Sequence, residues 1–285
     1  MSALSFRLPW QSQQRVLPGF GLSLGISLTF VSLVLLLPLT GLIGELKGMS
    51  LPQYWAIVTE PRVVASYVTT ISGAAVAAVI NAAFGLLLAW VLVRYDFPGK
   101  RLLDALMDLP FALPTAVAGI TLATLYSSNG WMGQLLEPLG WKISYSWVGI
   151  ALAMAFTSIP FVVRTVQPVL EDLPAEVDEA AMALGARDGV AFRRVILPHL
   201  WPALVTGTGL AFVRSLGEFG AVIFIAGNMP YETEITSLMI FVKLQEYDYA
   251  GASAIASIVL AVSLLMLLAI NLWQGRFIRR LHGGR

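Results

Sequence analysis

Long apolar runs separated by short charged segments set the pattern of the chain. A helix needs about 20 apolar residues to cross the bilayer core, and six runs are that long. They cover roughly 20–43, 64–92, 103–127, 145–166, 199–226 and 250–273. The run over 64–92 exceeds the minimum and has room to tilt. Within 103–127, Pro110 and Pro114 each remove a backbone donor and predict kinks. The predicted class is an all-α polytopic membrane protein with six transmembrane helices.

One segment breaks this pattern. Between the fourth and fifth runs, "EDLPAEVDEAAMALGARDGVAFRRVILP" (171–198) is charged, small and glycine-punctuated. Asp172 is placed to cap a helix, with Pro174 in its first turn. Glu176, Asp178 and Glu179 load the N-terminal half with negative charge, which favours the helix dipole. Gly185 stands where such a helix would end. Val177, Ala181 and Leu184 fall at helical spacing and predict one apolar face. A second short helix is expected from Asp188, with Arg193 and Arg194 near its end and Pro198 marking entry into the fifth span. The small pair Ala180–Ala181 permits close approach by another surface. The helix is acidic rather than rich in Lys and Arg, which argues against a helix resting on lipid headgroups and for a protein partner.

Composition supports the membrane reading. Of 285 residues, 57% are hydrophobic and 12% charged, with a mean hydropathy of +0.77; soluble domains carry about 25% charged residues. The net charge of +1 says little about partners, but the placement of charge says more. The N-terminus, the 94–101 loop, the 164–194 segment and the C-terminus together hold thirteen Lys and Arg, and the opposite loops hold only Lys47, Arg62, Lys142 and Lys243. Cytoplasmic loops carry the excess of positive residues, so both termini and 167–198 are expected to face the cytoplasm. Trp131, Trp141 and Trp147 suit an interfacial belt on the other side. The outer loop 227–249 is acidic, with Glu232, Glu234, Glu246 and Asp248 against Lys243. The first run is free of charge from Val16 to Gly44. It exceeds the apolar core of a signal peptide, about 7–15 residues, and reads as a retained span.

Several chemistries are excluded. The chain has no cysteine, hence no disulfide, thiolate metal site or cysteine nucleophile. Two histidines, His199 and His282, are too few for a histidine metal cluster. An intramembrane enzyme would have to use Asp108 and Glu218, which the topology puts at different depths, and no nucleophile elbow or metal-ligand pair accompanies them. On its depth, Asp108 reads as a snorkelling or capping carboxylate. A receptor or scaffold is compatible with a cytoplasmic docking helix. Nothing points to nucleic acid.

Glu179-Ala180-Ala181, then Gly185, then Ile196-Leu197-Pro198, resembles the "EAA" loop of ABC importer permeases. "DLPFALPTAVAGITL" (108–122) and "RSLGEFGAVIFIAGNMP" (214–230) look like the sulfate and molybdate subgroup. "TEITSLMIFVKLQEYDYAGASAIA" (233–256) resembles its sulfate/thiosulfate T-type subunits. The resemblance covers roughly 64–275. It implies a type I importer fold: 1–63 as N-terminus, first span and outer loop, 64–275 as the core permease domain with a coupling loop over 171–198, and 276–285 as a basic cytoplasmic tail. Glu179, Ala180, Ala181 and Gly185 would form the turn that docks on a cytoplasmic ATPase. The implied partners are a second, W-type permease subunit, two copies of the ATPase and a periplasmic sulfate/thiosulfate-binding protein, in a bacterial inner membrane. No cofactor is expected on this chain. ATP and Mg would be used on the partner, because the chain has no G-x-x-x-x-G-K-S/T loop. Molybdate or tungstate is the alternative cargo.

Arg214 and Glu218 fall in the fifth run at i and i+4, share a helix face and can pair. A lone charge at mid-membrane costs roughly 2.5–3.5 kcal/mol on insertion scales, which pairing or water reduces. From His199 to Arg214 is about 22 Å of helix, placing Arg214 past the midplane on the outer side. Two roles stay open. The pair can fix the bundle or its gate. Alternatively, Arg214 faces the pathway and attracts a divalent oxyanion, for which the planar guanidinium is suited. Ser215 and Gly217 would then add donors, and Glu218 would weaken the hold so that the ion can leave.

Overall fold

A computed structural model describes residues 20–282. Among these the secondary structure is helical, with no strand. The chain divides into two compact units with the boundary between Met49 and Ser50. The first unit holds α1 (Phe20–Lys47), an apolar helix of 28 residues, about 42 Å long at 1.5 Å per residue. It carries a π turn at Ser32–Leu36, just before Pro38.

The second unit opens with α2 (Leu51–Val58). A reciprocal cap starts it: Gln53 N donates to Ser50 Oγ at 3.4 Å, and Ser50 N donates to Gln53 Oε1 at 3.1 Å. There follow α3 (Pro61–Arg94), α4 (Lys100–Met107), α5 (Leu109–Ala112), α6 (Thr115–Tyr126), α7 (Trp131–Leu136), α8 (Trp147–Glu171), α9 (Ala175–Ala183), α10 (Asp188–Leu216), α11 (Val222–Ile225), α12 (Thr236–Gln245) and α13 (Tyr249–His282). Among the described residues, five helices are long and apolar enough to cross a membrane: α1, α3, α8, α10 and the Tyr249–Gly275 part of α13.

The third predicted span, 103–127, arrives in pieces as α4, α5 and α6 rather than as one kinked helix. The prolines explain the breaks. Pro110 sits in the first turn of α5, where its missing N–H costs nothing. Leu113 is extended (ψ 135°) and Pro114 serves as the N-cap of α6, because a residue before proline is pushed out of the helical region. The fifth predicted span, 199–226, is also altered at both ends. It stops at Leu216, with Gly217 as its C-cap. At the other end it continues back to Asp188, so the expected separate helix from Asp188 is the start of α10. A π turn at Phe192–Ile196 lies just ahead of Pro198. A proline ring clashes with the carbonyl four residues back, which is Arg194 here and Val34 in α1. A widened turn relieves that clash.

The core is built from α3, α8 and α10. Gly73 lies against Ile150 and Met154, Asn81 against Ala155 and Ser158, and Gly85 against Val162. Numbers rise together, so α3 and α8 run parallel. Gly207 meets Val162 while Ser215 meets Ser158, so α10 runs antiparallel to both. Small residues let these backbones approach, as is usual between helices in membranes. A Cβ on Gly85 would lie 2.8 Å from Cβ and Cγ1 of Val162. At the centre, three buried side chains tie the helices together: Asn81 Nδ2 donates to Ser158 Oγ (2.8 Å) and to Ala155 O (3.0 Å), and Ser215 Oγ donates to Ser158 Oγ (3.1 Å). Unpaired polar groups are costly away from water, and this chain of bonds satisfies them. The helix ends Arg94, Glu171 and Asp188 gather at the end of the bundle that bears α9. At the opposite end, Arg62 binds Glu234 through Nε and Nη2 (2.8 and 2.7 Å), and Thr236 N donates to Thr70 Oγ1 at 2.8 Å. These bonds hold the segment before α12 to the start of α3.

Candidate functional site

The predicted docking residues lie on α9 and the turn after it. Asp172 does not cap α9. It is the C-cap of α8, its N–H donating to Pro168 O, and Pro174 is the N-cap of α9 with ψ 142°. The far end follows the expectation for Gly185, which has φ +81°. Gly185 N donates to Met182 O at 2.8 Å and Ala186 N to Ala181 O at 3.1 Å. This paired arrangement is the Schellman closure, which needs a left-handed residue just past the helix. No atom lies within 4 Å of where a Gly185 Cβ would be, so the glycine is required by conformation and not by space. Ala181 is buried and Ala180 exposed. The backbone of Glu179 lies on α9, and its side chain lies outside the described residues. Leu184 departs from the predicted apolar face: it is 90% exposed, and Met182 is 52% exposed. The turn therefore presents two unburied apolar side chains beyond the small pair.

The second predicted group sits where α10 ends. Arg214 Nη1 approaches Glu218 Oε2 at 2.7 Å, an ion pair without hydrogen-bond alignment. Because the helix closes at Leu216, the pair bridges the helix end and not one continuous face. Glu218 is 1% exposed, and its Oε1 accepts from Ala221 N at 3.0 Å. Gly220 packs on Thr115 and Gly119 on Ala221, so the non-helical loop 217–221 is wedged against α6. Arg214 is 35% exposed, with Glu218 as its ion-pair partner among the described residues. Ser215 is fully buried, and its hydroxyl is directed to Ser158 and the Met154 carbonyl. It does not line open space beside Arg214.

A third group was not anticipated as a cluster. Arg164 of α8 engages all five of its N–H donors. Nε and Nη2 reach the two carboxylate oxygens of Asp108 (2.8 and 2.7 Å), Nη1 reaches Asp104 Oδ1 (2.6 Å) and Gln167 Oε1 (2.7 Å), and Nη2 also reaches Asp104 O (2.9 Å). Asp108, expected from its depth to snorkel or to cap, keeps 51% of its side-chain surface. It makes no side-chain cap, and both of its oxygens go to Arg164. The available signal was Arg164 itself, a cation near the end of a span with Asp104 and Asp108 at helical spacing in the run before it. Separation by more than fifty residues hid the pairing.

Comparison with known proteins agrees with this architecture. The family described as "Binding-protein-dependent transport system inner membrane component" matches residues 81–283. The sulfate transport system permease protein CysT of Salmonella typhimurium is 64% identical, over 95% of this chain and 98% of that one. Its counterpart in Escherichia coli K12 is 63% identical over the same shares. That of Synechococcus elongatus is 48% identical, over 87% of this chain and 90% of that one. Among solved structures, a bacterial ABC transporter involved in import of the acidic polysaccharide alginate has TM-score 0.72 at 18% identity, covering 90% of this chain and 94% of that one. The MetNI methionine ABC transporter has TM-score 0.58 at 16% identity, covering 80% and 99%. Five long helices, a broken third span and a charged turn closed by a left-handed glycine thus occur in a chain with the fold of ABC importer permeases, and the chain belongs to the family of binding-protein-dependent transport system inner membrane components.

Proposed function

We propose that this chain is the membrane permease subunit of an ATP-driven importer that carries sulfate, and with it thiosulfate, into the cell. The observation that carries the reading is the 64% identity to a sulfate permease over nearly the whole of both chains. In this reading the chain sits in a bacterial inner membrane with both termini and α9 in the cytoplasm. It pairs with a second, W-type permease subunit. Two ATPase subunits hydrolyse ATP with Mg, and a periplasmic sulfate/thiosulfate-binding protein delivers the ion. The chain performs no chemistry of its own. Glu179, Ala180, Ala181 and Gly185 form the ATPase-docking turn, and the exposed Leu184 and Met182 support a protein contact there.

Arg214 is the proposed anion guide, with Glu218 as its internal partner. A partly exposed guanidinium with one ion-pair contact retains donors for an oxyanion, and Glu218 keeps the attraction from becoming a trap. Ser215 contributes by anchoring α10 to α8 and not as a ligand. The reconstituted complex, supplied with its binding protein, tests the assignment. Sulfate should stimulate both ATP hydrolysis and uptake. Stimulation by molybdate or tungstate without sulfate would assign the alternative cargo, and stimulation by none of them would remove the transport reading.

A further inference from the structure

The Arg164 cluster stands at an unusual junction. Asp108 closes α4 as its C-cap and immediately precedes α5, so it marks the first break in the third span. At that break Asp108 N turns to Ala105 O (3.1 Å), which leaves the Asp104 carbonyl without its helical donor. The final carbonyls of any helix lack such donors. Arg164 supplies one from α8 at 2.9 Å, while its charge faces the negative end of the α4 dipole. Phe161, one turn earlier on α8, stacks edge-on against Phe111 of α5 with ring centroids 5.4 Å apart. Both sides of the break are therefore clamped to the same face of the same helix.

The cluster continues toward α9. Gln167, which accepts from Arg164, donates through Nε2 to Glu171 Oε1 at 3.1 Å. Glu171 is the last residue of α8, and α9 begins at Ala175. Leu170 is fully buried and Leu173 packs in the same core cluster, so the short link is anchored. Beside the network a groove of about 510 Å³ is lined by Lys100, Arg101, Asp104, Gln167 and Glu171 among others. Arg164, Asp104 and Asp108 keep 31%, 43% and 51% of their side-chain surface, so the clamp holds together without the full cost of burying its charges.

We infer that Arg164 is a positioning residue for transport: it makes the broken third span, at Asp108 and α5, move as one body with the helix that carries α9. A push at α9 would then reach the break, where two short helices and an extended Leu113 can turn more easily than a continuous helix. A planar five-donor fork is needed for this, and a lysine cannot reproduce it. The inference rests on the proposed docking of an ATPase at α9.

The test uses the assembled complex with Arg164→Lys, which keeps the charge and loses the fork. The readout is sulfate taken up per ATP hydrolysed, together with the distance between spin labels at Asp172→Cys and Ala112→Cys, an exposed α5 position that leaves the Phe111 ring in place, in the otherwise cysteine-free chain. With Arg164 present, that distance should stay fixed with and without ATP. In R164K the distance should broaden and follow nucleotide, and uptake per ATP should fall about tenfold, within the usual range of coupling between sites, while hydrolysis itself persists. An unchanged transport ratio and a fixed label distance in R164K would overturn the inference. If R164K does not assemble, Asp104→Asn, which removes one charged acceptor and leaves the Asp108 fork, should show the same uncoupling in smaller measure, and an unchanged ratio there would overturn it. The label distances need ATP but no cargo. If sulfate fails to stimulate the unsubstituted complex, the cargo assignment fails while the distances still decide the role of Arg164.

Discussion

Arg214 and Glu218 meet at 2.7 Å across the end of a helix, one of them partly exposed and the other buried to 1%. The asymmetry sets the energetics. Glu218 carries a charge where little water reaches it, anchored by Ala221 N and neutralised by Arg214. Removing one partner of a buried pair costs about 3–5 kcal/mol. Arg214→Gln should therefore lower the yield of assembled complex, and adding Glu218→Gln should restore it, since the amide still accepts from Ala221 N. Uptake by the restored double variant then reads the second role of Arg214. Loss of a charge-assisted contact worth about 1.5–3 kcal/mol predicts sulfate uptake at least tenfold below the unsubstituted complex. Normal uptake in a well-assembled double variant would reduce Arg214 to a structural cation.

Gly185 makes a different prediction, because its constraint is purely of backbone. Its φ of +81° closes α9, and there is open space where a side chain would project. An L-residue in the left-handed region costs roughly 1–2 kcal/mol, and a β-branched one more. Gly185→Val should leave membrane insertion intact and weaken copurification of the ATPase. Gly185→Asn should retain most of it, since asparagine tolerates this region. If valine and asparagine behave alike, the turn geometry is not what the partner recognises.

What was legible in the sequence follows from how local each signal is. The Schellman glycine, the Arg214–Glu218 spacing and five of the six apolar runs depend on residues close together in the chain, and all appear in the structure. The break at 108–114 was half legible: the prolines predicted kinks, but whether a proline bends a helix or splits it depends on what receives the freed backbone groups. Here the helix ends at Asp108, whose N–H turns to Ala105 O, and Arg164, more than fifty positions away, meets the Asp104 carbonyl left at that end. Ser215 illustrates the same limit. Its position beside Arg214 suggested a shared surface, but adjacent helical residues point in directions about 100° apart, and Ser215 faces Ser158 in the core. Leu184 failed for the opposite reason. Helical periodicity assigned it to a buried face, yet it is the capping residue, where the helix and its periodicity end.

The parallel contact of α3 and α8 predicts a steric dependence at Gly85. A Cβ there would fall 2.8 Å from both Cβ and Cγ1 of Val162, a residue with no exposed surface. Overpacking of this kind costs about 1–3 kcal/mol, so Gly85→Ala should lower the thermal midpoint of the purified protein. Combining it with Val162→Ala removes Cγ1 but leaves Cβ, so recovery should be partial. Simple additivity of the two losses would show that the helices had shifted apart instead of remaining in contact.

The last prediction concerns which end of the bundle faces the cytoplasm. Parallel α3 and α8, with α10 antiparallel, bring Arg94, Arg164, Arg187, Arg193 and Arg194 to the end that bears α9. Lys100 and Arg101 border the groove at that same end. Arg62 lies at the opposite end, paired to Glu234, and Lys243 lies between Glu246 and Asp248. The positive residues there are thus partly neutralised in addition to being few. Positive residues near span ends are retained on the cytoplasmic side, so the α9 end should face inward. The absence of native cysteine makes single-cysteine labelling unambiguous. Leu184→Cys, at a position 90% exposed, should react with an impermeant thiol reagent only after the membrane is opened. Trp131→Cys and Tyr231→Cys, at positions 84% and 62% exposed, should react once the reagent has access to the periplasm. Reaction of the Leu184 position from the periplasmic side, or protection of both outer positions, would invert the bundle and leave α9 unable to meet an ATPase in the cytoplasm.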